Sequence, residues 1–258
     1  MNNSITSDPL ALPRLEVSGL KKAFGGLVVA QNIDLVLKAG ARTALIGPNG
    51  AGKSTFVNLV TGVLQPSSGS IKLDGEEISN LPQSARVRRG LVRSFQVTRL
   101  FKDLTVADNL RLAILQLRRQ SFTFLRRIEH VEGLDAEVER ILDILGLGDR
   151  ASSEVRGLAY GEQRLVEIAL VLALKPRVLL LDEPAAGVPQ SESGIILQAV
   201  EDLPADLAVL LIEHDMNLVF RFATQIAVLV SGELLVEGTP EEISNNKEVR
   251  DIYLGAGV

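Results

Sequence analysis

Two hydrophobic rhythms alternate along this chain. Ile33-Asp34-Leu35-Val36-Leu37 alternates with period two, as a half-buried strand does, and Leu15-Glu16-Val17 opens another strand. Arg42 to Ile46 reads as a short buried strand, and Ile71-Lys72-Leu73 before Asp74-Gly75 and Leu91 to Phe95 add two more. Val178 to Leu181 is a continuous apolar run, repeated at Ala208 to Ile212 and Ile226 to Val230. Such runs are expected of central parallel strands covered on both faces. Helical spacing lies between them. Phe56, Val57, Leu59, Val60, Val63 and Leu64 form one stripe, closed by Ser67-Ser68-Gly69. Further helices are expected from Gly161 to Leu174, halted by Pro176, near Ser191–Leu203, and over Met216–Phe222. Thr239-Pro240-Glu241-Glu242 is a helix start, with Thr239 as N-cap, Pro240 first and Glu242 reaching back. Strand and helix in this alternation predict an α/β fold around a mostly parallel, doubly wound sheet.

Residues from about 97 to 160 break the rhythm and read as a helical insertion. Thr105-Val106-Ala107-Asp108 starts one helix, followed by Leu110, Leu112, Ala113 and Leu117. A second runs from about Asp135, with Val138, Ile141, Leu142 and Leu145 on one face and Gly146 as its stop. Phe122 to His130, basic and aromatic, links them as a solvated face, and His130 is assigned no role.

Gly47-Pro48-Asn49-Gly50-Ala51-Gly52-Lys53-Ser54-Thr55 fits the phosphate-loop pattern G-x-x-x-x-G-K-[ST], between a strand and a helix. The glycines let backbone close around an anion, and successive N–H groups with the helix N-terminus point at phosphates. Lys53 supplies a cation for the β- and γ-phosphates, and the Ser54 hydroxyl is placed to ligate Mg2+. This pattern predicts ATP or another nucleotide as ligand.

Asp182-Glu183 follow an apolar strand directly, where ligands sit in open parallel sheets. Asp182 there can hold Mg2+ through water, and Glu183 can polarise an attacking water. An isolated Asp-Glu pair is usually two solvated acids in a turn; the phosphate loop tips the balance. His214 ends the next apolar strand and could reach a γ-phosphate. Phe24 stands in Lys22-Ala23-Phe24-Gly25-Gly26, between the first two strands. A lone aromatic is usually core, but in a glycine-rich turn it is also a candidate for stacking on adenine.

Composition removes several classes. The 258 residues are 46% hydrophobic with a net charge of −5, enough apolar content for a large core and no general basic field for nucleic acid. Arg86, Arg88, Arg89 and Arg93 form only a local cluster. Cysteine is absent, so there is no disulfide or thiolate metal site. The longest apolar runs fall far short of the roughly 20 residues a membrane-spanning helix needs. The polar start, Met1 to Pro9, lacks a hydrophobic signal segment, so a soluble chain is expected, reaching a membrane only through a partner.

The phosphate loop, Gln96 after Ser94-Phe95, Leu158-Ala159-Tyr160-Gly161-Glu162, Leu181-Asp182-Glu183-Pro184 and His214 together resemble the ordered motifs of an ATP-binding cassette (ABC) ATPase. The resemblance covers almost the whole chain. It implies a RecA-like core with an antiparallel β subdomain and an inserted helical one. It also implies a two-subunit ATP sandwich in which Ala159, Tyr160, Gly161 and Glu162 of one subunit face the phosphate loop of the other. By position Phe24 would stack on adenine, Gln96 would sense γ-phosphate and Mg2+, Glu183 would be the general base and His214 the switch. The signature departs from the common Leu-Ser-Gly-Gly-Gln at Ala159, Tyr160 and Glu162, and Pro189 stands where an aspartate is common. Leu-Ala-Tyr-Gly, with Arg99-Leu100-Phe101 and Tyr253-Leu254-Gly255, is similar to the ATPase subunits of branched-chain amino acid importers.

The expected organisation is one ABC ATPase domain over 1–258. Residues 1–13 are a polar tail, 14–96 and 161–238 the α/β core, 97–160 the insertion, and 239–258 a C-terminal helix and tail. The resemblance implies integral membrane permease subunits, a second ATPase subunit and, indirectly, a solute-binding protein as partners, at the cytoplasmic face of the plasma membrane, with no nucleic acid. One alternative is a soluble ABC ATPase acting on nucleic acid or ribosomes, which would want duplicated cassettes or a basic surface. The other is a GTPase switch, which would want Asn-Lys-x-Asp; Asn246-Lys247-Glu248-Val249 lacks the final acid.

Overall fold

The computed structural model describes residues 12–94, 100–118 and 131–254. Its elements in chain order are β1 (Leu15–Phe24), β2 (Leu27–Leu37), β3 (Arg42–Ile46), α1 (Lys53–Thr61), β4 (Ser68–Leu73), β5 (Glu76–Glu77), α2 (Gln83–Arg88) and β6 (Leu91–Arg93). The inserted helices α3 (Val106–Leu117) and α4 (Leu134–Ile144) follow. Then come α5 (Tyr160–Ala173), β7 (Val178–Asp182), α6 (Gln190–Glu201), β8 (Ala208–Ile212), α7 (Met216–Phe222), β9 (Gln225–Val230), β10 (Glu233–Gly238), α8 (Pro240–Asn245) and α9 (Lys247–Leu254).

Among the described residues the strands form two sheets, β10-β9-β3-β8-β7-β6 and β2-β1-β4-β5. In the first, β3, β6, β7, β8 and β9 run parallel, and β10 closes one edge antiparallel. The alternation of side chains along its strands divides the core in two. Leu45, Leu180, Leu210, Ile212 and Leu229 point toward α1 and the antiparallel sheet. Ile46, Leu179, Leu181, Leu211 and Val228 point toward α3 to α7. That two-sided burial is why these strands carry no polar alternation. No helix among the described residues is long and apolar enough to cross a membrane.

Several sequence expectations are corrected. The phosphate-loop helix stops at Thr61, because Gly62 takes a left-handed conformation (φ 81°) and its N–H caps Leu59 O. Val63 and Leu64 lie beyond it, and Ser68-Gly69 open β4 rather than close the helix. Lys22, Ala23 and Phe24 are the end of β1, with only Gly25-Gly26 turning. The buried face of α3 is Val106, Ala107, Leu110, Ile114 and Leu115, leaving Leu112, Ala113 and Leu117 half-buried. The single C-terminal helix is two, broken at Asn246, whose side chain accepts from Val249 N at 3.1 Å and caps the second.

The insertion is held by its caps and by buried polar groups. Thr105 accepts from Asp108 N at 3.0 Å, as expected of a helix start. Asn109, buried, exchanges hydrogen bonds with both backbone groups of Phe101 at 3.0 Å. Glu137 on α4 pairs with Arg118 at 2.6 Å and Lys175 at 3.0 Å, tying the insertion to the end of α5.

Arg86 is fully buried, and it ends α1 electrically. Its guanidinium donates to Leu59 O, Val60 O, Leu81 O and Ser79 O at 2.6–2.9 Å. Two of those are terminal carbonyls of the phosphate-loop helix, where a cation also complements the helix dipole. Burial pushes its pKa down to about 10, so it remains charged at neutral pH. Arg86→Met should strand these carbonyls and cost about 3 kcal/mol, since a hydrogen bond to a charged group contributes roughly 1.5–3 kcal/mol. Urea unfolding measures this, and a loss below about 1 kcal/mol would contradict the bonding scheme.

Candidate functional site

The parallel register brings the functional segments to one sheet edge. Leu45 of β3 pairs with Ile212 of β8, and Ile212 pairs with Asp182 of β7. Gly47, Asp182-Glu183 and Glu213-His214 therefore emerge at the same carboxyl ends.

The phosphate loop is shaped by exclusion. A Cβ on Gly47 would lie 2.2 Å from Leu229 O, so this position has no room for a side chain. Gly50 and Gly52 take φ of 80° and 104°, and Gly52 turns the chain into α1. Ser231-Gly232, both at positive φ, make the two-residue turn from β9 to β10, and Gly232 N donates to Ala51 O at 2.8 Å. Sequence reasoning missed this turn, although Ser-Gly between two apolar runs is its signal.

Asn49, Gly50, Ala51, Gly52, Lys53, Ser54 and Thr55 line a cleft of about 490 Å3 together with Glu183, Leu27 and Val28. The Lys53 ammonium donates to Gly47 O and to Pro48 O, the latter at 3.1 Å. Burial lowers its pKa, and the nearby charges of Glu183 and Asp182 oppose the shift. Phe24 is half exposed and does not line the cleft itself; it pairs across the β1–β2 hairpin with Leu27, which does, and Lys22 Nζ lies 5.0 Å from its ring centroid. Phe24, Leu27 and Val28 thus form an exposed apolar rim, of which the sequence suggested only the aromatic member.

Glu183 sits at φ 46°, a left-handed conformation that costs a non-glycine residue about 1–3 kcal/mol. It is held on both sides. Its N–H donates to Ile212 O at 2.9 Å, and its carbonyl accepts from Arg164 Nη2 of α5 at 3.2 Å. Arg164 also donates to Pro184 O at 2.8 Å and pairs with Glu167, whose pKa burial raises. The carboxylate of Glu183 lies 3.5 Å from His214 Nδ1, on a largely exposed imidazole. Glu213, overlooked because it reads as one more acid, is buried and accepts from His214 N at 2.8 Å and Asp215 N at 3.2 Å, fixing the turn that carries the histidine. Asp182 pairs with Arg93.

The signature residues lie apart from the phosphate-loop cleft. Ala159 is the N-cap position of α5. Tyr160 is exposed and lines a separate recess of about 80 Å3 that also reaches Glu183. Gly161 N donates to Glu192 at 2.7 Å. Glu162 accepts from Ala159 N at 3.0 Å and pairs with Arg150 at 2.8 Å, with the arginine the larger cause of its lowered pKa. Gln96 and His130 lie outside the described residues, as do Phe95 and Arg99.

Residues 30–186 match the family described as ABC transporter. The chain belongs to that family. Residues 233–258 match a second description, branched-chain amino acid ATP-binding cassette transporter. The chain is 41% identical over 257 residues to the high-affinity branched-chain amino acid transport ATP-binding protein BraF of Pseudomonas aeruginosa, covering 95% of this chain and 99% of that protein. It is 39% identical over 253 residues to LivG of Escherichia coli, a protein of the same description, with the same coverage. A solved ATP-binding cassette of an ABC transporter in its ADP conformation superposes with a TM-score of 0.79 at 28% identity, covering 94% of this chain and 99% of that one. The ABC fold and an ATP-binding ATPase are thereby the nature of this chain. The nucleic-acid and GTPase readings are not favoured, and the Asn246-Lys247 string serves as a helix cap.

Gly47→Ala should weaken ATP binding at least tenfold, because its methyl must displace the β9 backbone carbonyl. Titration with a fluorescent ATP analogue measures this, and wild-type affinity would contradict the packing of the loop.

Proposed function

We propose that this chain is the ATP-hydrolysing subunit of an importer for branched-chain amino acids or a related small solute, working at the cytoplasmic face of the membrane through separate permease subunits. The observation that carries the reading is the cleft where the phosphate loop and Glu183 meet, in a chain alike over 95% of its length to branched-chain amino acid transport ATP-binding proteins. ATP would lie with its phosphates on the loop amides and Lys53, and its base against Phe24 and Leu27. Lys53 would exchange the carbonyls of Gly47 and Pro48 for phosphate oxygens. Glu183 would take the proton of the attacking water, oriented by the arginine-held backbone, and His214 would reach the γ-phosphate from the next strand end.

Ser54 and Asp182 offer hard oxygen donors suited to Mg2+, which usually takes one or two protein groups with phosphate oxygens and waters. When bound, Mg2+ would neutralise charge on the β- and γ-phosphates. Gln96 would join these ligands as the γ-phosphate sensor.

Two subunits, identical or paralogous, would close on ATP, with Ala159, Tyr160, Gly161 and Glu162 of each facing the phosphate loop of the other. Hydrolysis reopens them, and a solute-binding protein would deliver the cargo outside. The permease contact would fall on the groove of about 460 Å3 lined by Val87, Leu91, Val92, Leu117 and Leu174, between the core sheet and the insertion.

Glu183→Gln should lower ATP hydrolysis by about 100-fold or more, on the scale of a lost general base, and leave ATP binding intact. It should also hold an ATP-dependent dimer, visible by light scattering alone or with a paralogous ATPase subunit. Wild-type turnover, or no ATP-dependent dimer in either setting, would contradict the mechanism. Lys53→Ala should abolish nucleotide binding.

A further inference from the structure

Arg93 ends β6, and its guanidinium joins three elements. One arm, Nη2, donates to Asp182 Oδ2 at the end of β7. The other, Nη1, donates at 2.8 Å to Asn58 Oδ1, on the phosphate-loop helix just past Lys53 and Ser54. The next residue, Ser94, accepts from Asp182 N at 3.2 Å, so adjacent residues hold this aspartate by side chain and backbone. The pair is mostly buried, with side-chain exposures of 17% for Arg93 and 9% for Asp182. Arg93 Nε is buried with no hydrogen-bond partner among the described residues.

Stability alone is a poor reason for such a pair. Desolvating two charges roughly cancels their attraction, so a buried ion pair is weak evidence for stabilisation. Its orienting effect is large by comparison. A guanidinium fixed at both arms determines the plane of the carboxylate it holds, here through Asp182 Oδ2. Because the second arm is anchored on α1, the position of the carboxylate is tied to that of the Ser54 hydroxyl.

We propose that Arg93 is a positioning residue for the metal site, holding Asp182 in register with the phosphate-loop helix so that its carboxylate and the Ser54 hydroxyl address one cation. The proposal rests on the reading of Asp182 as a Mg2+-holding group. It gives the basic cluster of the sequence a member with a defined task. Arg93 is also a wall of the groove assigned to the permease, so a partner seated there would lie against the side chain that holds Asp182.

The test uses Mn2+ as the probe, titrated by electron paramagnetic resonance into the full chain saturated with ADP, which is not hydrolysed. Arg93→Met should weaken Mn2+ binding about tenfold or more, the range typical of partners that orient metal ligands, with ADP affinity in EDTA within twofold of wild type. Arg93→Lys should recover part of the loss. Asn58→Ala, which leaves the ion pair but frees the other arm, should shift Mn2+ binding a few-fold in the same direction. Unchanged Mn2+ affinity in Asn58→Ala and Arg93→Lys would overturn the proposal even if Arg93→Met does not fold. A lowered melting temperature with full Mn2+ affinity would do the same. Asp182→Asn separates the layers. If it binds Mn2+ as wild type does, the reading of Asp182 fails and takes the proposal with it; if it loses Mn2+ while the Arg93 variants keep it, only the proposal fails.

Discussion

The parallel register of β3, β7 and β8 is the constraint on which everything else rests. Pairing Leu45 with Ile212 and Ile212 with Asp182 leaves the chain no choice about where Gly47, Glu183 and His214 emerge. A slip of one residue would turn every side chain of a strand to the opposite face. It would exchange the two halves of the core, since Leu179 and Leu181 serve one side and Leu180 the other. The apolar packing therefore sets the catalytic geometry as well as the stability, and the polar residues at the strand ends inherit their positions from it.

Around that edge the molecule spends unusual backbone and buried charge. Glu183 is held left-handed by Arg164 and by the Ile212 carbonyl, Glu213 is buried to shape the histidine turn, and Arg86 caps the far end of α1. The left-handed Glu183 and the buried Glu213 carry costs that a protein selected for stability alone has no reason to bear. With Arg86 they fix the carboxyl end of the phosphate-loop helix and the turns that carry Glu183 and His214. Rigidity there suits chemistry that consists of positioning and charge placement around phosphates.

Much of this was legible in the residues, and the limits have physical causes. Continuous apolar runs and helical stripes report burial, so β7, β8, β9, α4, α5 and α7 came out close to their observed bounds. The phosphate loop and Asp182-Glu183 were readable because their chemistry demands specific residue types in a strict strand context. The end of α1 was misread because Val63 and Leu64 keep apolar spacing after Gly62 has already broken the helix. Gly62 itself was the signal. Phe24 was assigned to a turn because pattern alone does not say how far a strand continues before two glycines. Arg93, Glu213 and Arg164 were missed for a different reason. Their tasks depend on partners 19 to 89 positions away or on burial that composition does not reveal. The signature residues lie away from the phosphate-loop cleft of their own chain, around a recess that shares Glu183 with it.

An ATPase that drives membrane subunits must leave the membrane in their company. The most direct test is a gentle detergent extraction of native membranes, capture of this chain, and identification of its companions by mass spectrometry. Polytopic membrane proteins are expected together with a second ATPase subunit or a second copy of this chain. Recovery with soluble or nucleic-acid-bound partners, and no membrane protein, would contradict that role while leaving the ATP site as described.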